Sequence, residues 1–271
     1  MLGAGDFPTD NATLHAALGR AISQLGADPK GVVLEGTFPS LAAIRMDLTG
    51  ARFDLKVRPS ATRSSETRAF HSSVVEITAT PARLETLPID LVLRAKNCAF
   101  DCNTARDGTR SIALQECSAG EIELNAAIAG IEAALFAVAQ EAAAEHGAEI
   151  QSVRVAIQSE TPRRVAVTAT AVAKAMFLTA TLTIHGWLEI DDEFNATLSD
   201  LACTGDGMLS NLAAGYLRPR LAQFDARRFS IASLLAGNVA PTHIVLDAAP
   251  ALRLRASFRR KCDTTPIDKN K

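Results

Sequence analysis

Along this chain, the spacing of apolar residues switches between a helical period and a strand period. In residues 11–26, NATLHAALGRAISQLG, an apolar stripe of Leu14, Ala17, Leu18, Ala21, Ile22 and Leu25 follows the 3.6-residue repeat. Asn11 stands where an N-cap accepts from free backbone N–H groups, and Gly26 can take the left-handed conformation that ends a helix. From Gly31 the period falls to two: GVVLEG and AAIRMDLTGARFDLKV set Ile44, Met46 and Leu48 against Arg45, Asp47 and Thr49. Half-buried antiparallel strands are expected there. Residues 58–73, RPSATRSSETRAFHSS, are polar and basic and read as a mobile loop. Strands resume at Val74–Thr78, in PIDLVLRAKNCAFDC and in SIALQEC.

The spacing predicts the longest helix from Glu121 or Leu124 to His146, closed by Gly147. Leu124, Ile128, Ile131, Leu135, Val138 and Ala142 form its seam, about 30 Å long at about 1.5 Å per residue. Its flanks are mostly Ala, with Phe136 off the seam, so enclosure on several sides is expected. Three or four long strands should follow between Ile150 and Leu201. In LTATLTIHGWLEI, Leu178, Ala180, Leu182, Ile184, Leu188 and Ile190 oppose Thr179, Thr181, Thr183, His185, Trp187 and Glu189. A third helix is expected from Gly207 to Phe224, with Pro219 kinking or breaking it near Tyr216. Two further strands, HIVLDA and ALRLRASF, precede a polar tail.

Several strands follow each helix through short turns, which favours an α+β antiparallel design over a parallel sheet. The expected organisation is a tail over residues 1–10, one elongated domain over 11–258 and a polar tail over 259–271. Within the domain, 11–120 and 121–258 repeat the order of helix then strands without residue identity.

With 28 basic and 30 acidic residues, the net charge of −2 argues against a nucleic-acid binder, which gathers basic excess on one face. Aromatics are 5% of a chain that is 48% apolar, so a cavity here would have aliphatic walls. The first residues lack a signal peptide's basic and apolar regions, and no apolar run reaches the length of a membrane span. The expected location is the cytoplasm or the periphery of the inner membrane for a full-length chain, and the periplasm if a leader is removed. Five scattered cysteines fit reduced thiols.

Chemical motifs are sparse. Asp191, Asp192 and Glu193 can hold a cation in principle, but lack the EF-hand spacing and read as a solvated hairpin turn. Cys98, Cys102 and Cys117 lack a second close pair for zinc and read as buried structural thiols. His185 and Trp187 read as a surface pair, and GxSxG, Walker A and GxGxxG runs are missing. Arg218, Arg220, Arg227, Arg228, Arg253, Arg255, Arg259, Arg260 and Lys261 make the C-terminal third basic, suited to an anionic membrane surface or lipid head groups, or simply solvated. No catalytic residue, metal set or cofactor is assigned, and a hydrolase with a dispersed site ranks last.

Four runs of residues together resemble the tubular lipid-binding superfamily, specifically its bacterial LmeA-like phospholipid-binding proteins. They are GVVLEGTFPSLAAIRMDLTGARF with Gly36, Phe38, Pro39 and Leu41; SAGEIELNAAIAGIEAAL; TATLTIHGWLEIDDE; and DGMLSNLAAGYLRPRLAQF with the closing SIASLLAGNVAPTHIVLDAAPALRLRASF. The likeness is one of pattern and order over about residues 11–258. It implies a long, strongly curved antiparallel sheet wrapped around a long helix, an elongated apolar groove for acyl chains, and an exported protein.

The residues support a groove as well. A helix with more apolar surface than one sheet face covers, beside strands lined by Val, Ala, Leu and Ile, leaves room where Ala stands for larger side chains. Burying ten methylenes at about 0.8 kcal/mol each supplies roughly 8 kcal/mol before losses. The expectation is non-enzymatic binding or transfer of a phospholipid or other apolar ligand. The lining residues would be Leu124, Ile128, Ile131, Leu135, Val138, Leu182 and Ile184. The rival expectation is a membrane-peripheral or scaffold protein with a filled core and a basic C-terminal contact surface.

Overall fold

The computed structural model describes residues 7–53, 70–104, 110–145, 147–175, 178–223, 225–226, 228–230, 239–248 and 250–260. The chain is α+β and mostly sheet, and the sheets are curved but open. It opens with helix α1 (Asn11–Gln24) and strands β1 (Val32–Thr37), β2 (Ser40–Asp47), β3 (Arg52–Phe53), β4 (Phe70–Leu84), β5 (Leu87–Thr104), β6 (Arg110–Glu116) and β7 (Ala119–Ala127). Then come α2 (Ile128–Ala144), β8 (Glu149–Thr161), β9 (Arg164–Ala175), β10 (Leu178–Ile190), β11 (Asn195–Asp206), α3 (Met208–Ala222), β12 (Arg228–Ser230), β13 (Val239–Asp247) and β14 (Ala251–Arg260).

Two sheets form where one was expected. Nine strands make the first, in the order β1-β2-β4-β5-β7-β14-β13, with β3 on β4 and β6 on β5; five make the second, in the order β12-β11-β10-β9-β8. The first is mixed, because β2 and β3 both pair parallel to β4. The long connection from β2 to β4 permits that crossover, which a short turn would not.

The stripe read for α1 is the side it buries, through Leu14, Ala17 and Ile22. Its N-cap is Asp10, not Asn11: Asp10 and Thr13 form a reciprocal capping box. Asn11 instead bridges the β1–β2 hairpin, donating to the Gly36 carbonyl at 2.7 Å and accepting from the Phe38 N–H at 2.7 Å. Ahead of the helix, Pro8 is fully buried. Under α1 lies the main core, with Phe70 between Phe100 at 4.9 Å and Phe38 at 5.9 Å between ring centroids. Phe70 and His71 already belong to β4, so the expected loop is shorter at that end; the part over residues 58–69 lies outside the described residues.

The expected helix start at Glu121 or Leu124 is corrected: Ala119–Ala127 is β7, hydrogen-bonded between β5 and β14. Ile122, Leu124 and Ala126 also alternate with Glu121, Glu123 and Asn125, so both periods fit this stretch, and pairing with two distant strands decides for the strand. At the other end, α3 runs through Pro219 to Ala222 without ending at Tyr216.

After the five-stranded sheet, β13 and β14 return to complete the nine-stranded one. Where the sheets meet, Val165 and Ile190 pack with Ile244, Leu246, Ala248 and Ala256, and the Leu246 N–H donates to the Pro162 carbonyl at 2.7 Å.

Candidate functional site

Directly opposed residues in neighbouring antiparallel strands share a face. The register therefore puts Val153 and Val155 of β8, Ala169 and Ala171 of β9, Leu182 and Ile184 of β10 and Cys203 of β11 on one face of the five-stranded sheet. Near the junction this face is buried by the core of Val165, Ile190, Ile244 and Leu246. Farther along, Val153, Ala169, Ala171, Ala173, Ala180, Leu182 and Ile184 are only half-buried. The floor in the middle is mostly Ala, which holds less volume than the branched residues around it.

A helix lies along the edge strand β8 and another along β11, which β12 pairs only over Asn195–Thr197. Exposed sheet edges present unpaired backbone groups that need cover. Along β8, Glu132 Oε1 of α2 accepts from the Val155 N–H at 2.9 Å and Gln140 Oε1 accepts from the Ile150 N–H at 2.8 Å. Arg154 lies 3.5 Å from the other Glu132 oxygen. Along β11, Arg218 Nε donates to the Cys203 carbonyl at 3.2 Å, Asp225 Oδ1 accepts from the Leu201 N–H at 3.1 Å, and Ser210 Oγ accepts from the Thr181 N–H of β10 at 3.0 Å. Three strand spacings of about 4.8 Å separate β8 from β11, and α3 covers the face at Gly205, opposite Leu182, so the stretch of face between the helices is under about 14 Å wide.

The two helices are held differently. Ser210 and Ala214 of α3 are buried, whereas α2, the most apolar helix, buries no residue at all. Leu135 is 40% exposed, Phe136 37% and Val138 59%; Leu178 at 47% and Met208 at 83% stand near the end of the sheet away from the junction. The expected enclosure of this helix by the sheet is not what forms: α2 is a flanking wall.

The seven residues singled out from the sequence are spread over this surface and its base. Leu124 lies in β7, and with Ile131 it packs on the core cluster of Ile22, Ala79, Ala82 and Ile89. Ile128 opens α2, half-buried; Leu135 and Val138 are exposed on it; Leu182 and Ile184 lie on the sheet face. Sequence reasoning passed over Glu132 and Gln140, which lie off the apolar seam; their signal was a polar pair eight positions apart on an otherwise greasy helix.

The opposite sheet faces are polar. On the five-stranded sheet, Thr168 Oγ1 and His185 Nδ1 are 3.1 Å apart, and the Arg164 guanidinium lies 4.3 Å from the Trp187 ring centroid. On the nine-stranded sheet a cavity of about 310 Å³ is lined by Arg94, Glu121, Glu123, His243 and Arg255 among others. Its arginines are engaged: Arg255 pairs with Glu123 at 3.4 Å and Arg94 with Glu76 at 3.5 Å, and Arg253 on the same strand as Arg255 pairs with Glu123 at 3.2 Å. Of the other basic residues in the C-terminal third, Arg260 pairs with Glu116 at 3.1 Å; Arg227, Lys261 and the Arg220 side chain lie outside the described residues.

Asp191 organises the β10–β11 turn, accepting from the N–H groups of Asn195 and Glu193 at 2.8 and 2.9 Å, and those bonds, Asn195's foremost, hold its carboxyl below the usual range. No three His, Cys, Asp or Glu side chains gather to hold a metal among the described residues. Cys98, Cys102, Cys117 and Cys203 are free and buried. Burial, with Cys117 nearby, pushes the Cys98 thiol up to about 12, and burial with Asp101 nearby pushes Cys102 up to about 11.

Below pH 9 both thiols are protonated in the folded and unfolded chain. Above it the unfolded chain releases protons that the folded chain keeps, so stability falls by about 1.4 kcal/mol per pH unit per thiol, up to about 11 for Cys102 and about 12 for Cys98. Urea titrations from pH 8.5 to 11 should show this decline, and Cys98→Ala should make it shallower; an equal slope in the variant would contradict the assignment. In a Cys262→Ser background, iodoacetamide should label the native protein negligibly at pH 8 and all four remaining thiols once it is unfolded.

Among the described residues no helix is long and apolar enough to cross a membrane. No family model, curated protein or solved structure matches this chain.

Proposed function

We propose that this protein binds a phospholipid or another apolar ligand, without transforming it, along the aliphatic face of the five-stranded sheet between α2 and α3. The observation that carries the reading is the half-buried floor of Val153, Ala171, Ala173, Ala180, Leu182 and Ile184 beside a helix that buries none of its residues. Contiguous apolar surface left open to water marks a binding surface more often than a finished core. The seven residues of β10 from Leu178 to Ile184 span about 20 Å, close to the length of an extended sixteen-carbon chain. This is also the function that the resemblance to tubular lipid-binding proteins implies, although here the helix borders the sheet face instead of being wrapped by it.

Filling the floor tests the reading without adding charge. Ala171→Phe occupies the trough next to Leu182, so binding of cis-parinaric acid, followed by its fluorescence, should weaken about tenfold or more while the thermal midpoint stays within a few degrees. Native mass spectrometry of wild-type protein incubated with mixed phosphatidylethanolamine and phosphatidylglycerol vesicles should show one retained lipid. Wild-type protein that takes up neither probe nor lipid rules the reading out.

A further inference from the structure

The three helices differ in what holds them. Helix α1 is pinned by four buried residues, Leu14, Ala17, Gly19 and Ile22, and α3 by Ser210 and Ala214. The apolar anchorage of helix α2 is at its first turn. Ile131 packs on the core below β4 and β5, and the Gly130 backbone approaches Pro88 so closely that an added Cβ would lie 2.9 Å from the ring. Beyond that turn its long apolar side chains are exposed, and its polar attachments to β8 are Glu132, on the Val155 N–H and Arg154, and Gln140, on the Ile150 N–H. The chain leaves α2 through Gly147, whose φ is +67°, at a site where a Cβ would touch nothing within 4 Å. The Gly147 and Ala148 N–H groups close the helix end on the Ala144 and Ala143 carbonyls at 3.1 and 3.0 Å, and a segment with few buried contacts opens at lower cost than the rest of a fold.

We infer that α2 is a hinged wall, pivoting on its first turn and on Gly147, which Glu132 and Gln140 latch against the edge of β8. Opening exposes the Val153 and Val155 side of the aliphatic face, so the latch sets how fast a ligand reaches it. That role rests on the proposed binding function; the hinge itself does not.

Hydrogen exchange on ligand-free protein tests the hinge. In the wild type, amides from Ala133 to Ala144 should exchange at least tenfold faster than those between Leu14 and Ile22. In Glu132→Ala/Gln140→Ala, amides of α2 and of Ile150 and Val155 should exchange about tenfold faster again, as expected for losing one or two hydrogen bonds, while α1 is unchanged. If the double variant does not fold, Gln140→Ala alone, which removes only the far attachment, should still accelerate Ala139–Ala144 and Ile150. Exchange in α2 as slow as in α1, or unmoved by both variants, overturns the hinge. A stopped-flow measurement of cis-parinaric acid uptake then separates the two ideas. Faster uptake in the variant supports the gate; a hinge that opens in exchange while wild type and variant both take up no probe removes the binding function and the gate together.

Discussion

Gly205→Ala is expected to detach α3 from the five-stranded sheet. A Cβ at this position would lie 2.1 Å from the Ser210 carbonyl carbon, 2.2 Å from its oxygen and 2.6 Å from the Asn211 nitrogen. These are backbone atoms in the first turn of α3, so no side chain can rotate away; either the helix or β11 must shift. The Thr181 N–H would then lose its Ser210 Oγ acceptor, and the Arg218 bond to the Cys203 carbonyl would be disturbed in turn. Overpacking against rigid neighbours costs about 1–3 kcal/mol, and leaving the half-buried Thr181 donor unpaired adds about 1 kcal/mol, so a loss of about 2–4 kcal/mol is expected. Urea denaturation measures it, and hydrogen exchange at Thr181 locates it. A variant within about 0.5 kcal/mol of wild type would mean that α3 does not seat on Gly205.

Phe70→Ala should cost about as much at the other end of the molecule. The ring is 1% exposed, stacks on Phe100 and meets Phe38 in the cluster that also holds Leu14, Leu41, Cys98, Cys102 and Cys117. Truncating a buried Phe costs about 3–5 kcal/mol through lost transfer energy and the cavity left behind. The urea midpoint should drop with the slope of the transition unchanged, because the surface exposed on unfolding hardly alters. A loss under about 1 kcal/mol would place Phe70 outside the stabilising core. Phe70→Leu should recover more than half the loss.

The elements most legible in the sequence were those whose two sides differ chemically. The stripe of α1 is its buried side, and the Leu/Thr alternation of β10 matches the aliphatic and threonine faces of the five-stranded sheet. Glu121–Ala127 was misread because Leu124, Ile128 and Ile131 continue a helical spacing backward through residues that also alternate as a strand. The parallel pairing of β2 with β4 left no local trace, since nothing in SLAAIRMD states which way its neighbour runs. Among the site residues, Leu182 and Ile184 were readable as members of one face, but Glu132 and Gln140 stood out only as polar positions off the apolar seam. Their acceptors matter because β8 is an edge strand, a property of the sheet order.

Periodicity comes from the direction of each Cβ along the local backbone, so the identity of most elements and the side each turns toward apolar surroundings were already written in neighbouring residues. The choice of partners was not. That nine strands and five strands separate, that β13 and β14 return to the first sheet, and that an apolar helix borders a face instead of being enclosed by it, depend on burial gained between residues far apart in the chain. Such gains are sums over contacts that no window of sequence contains, and folding alone settles them.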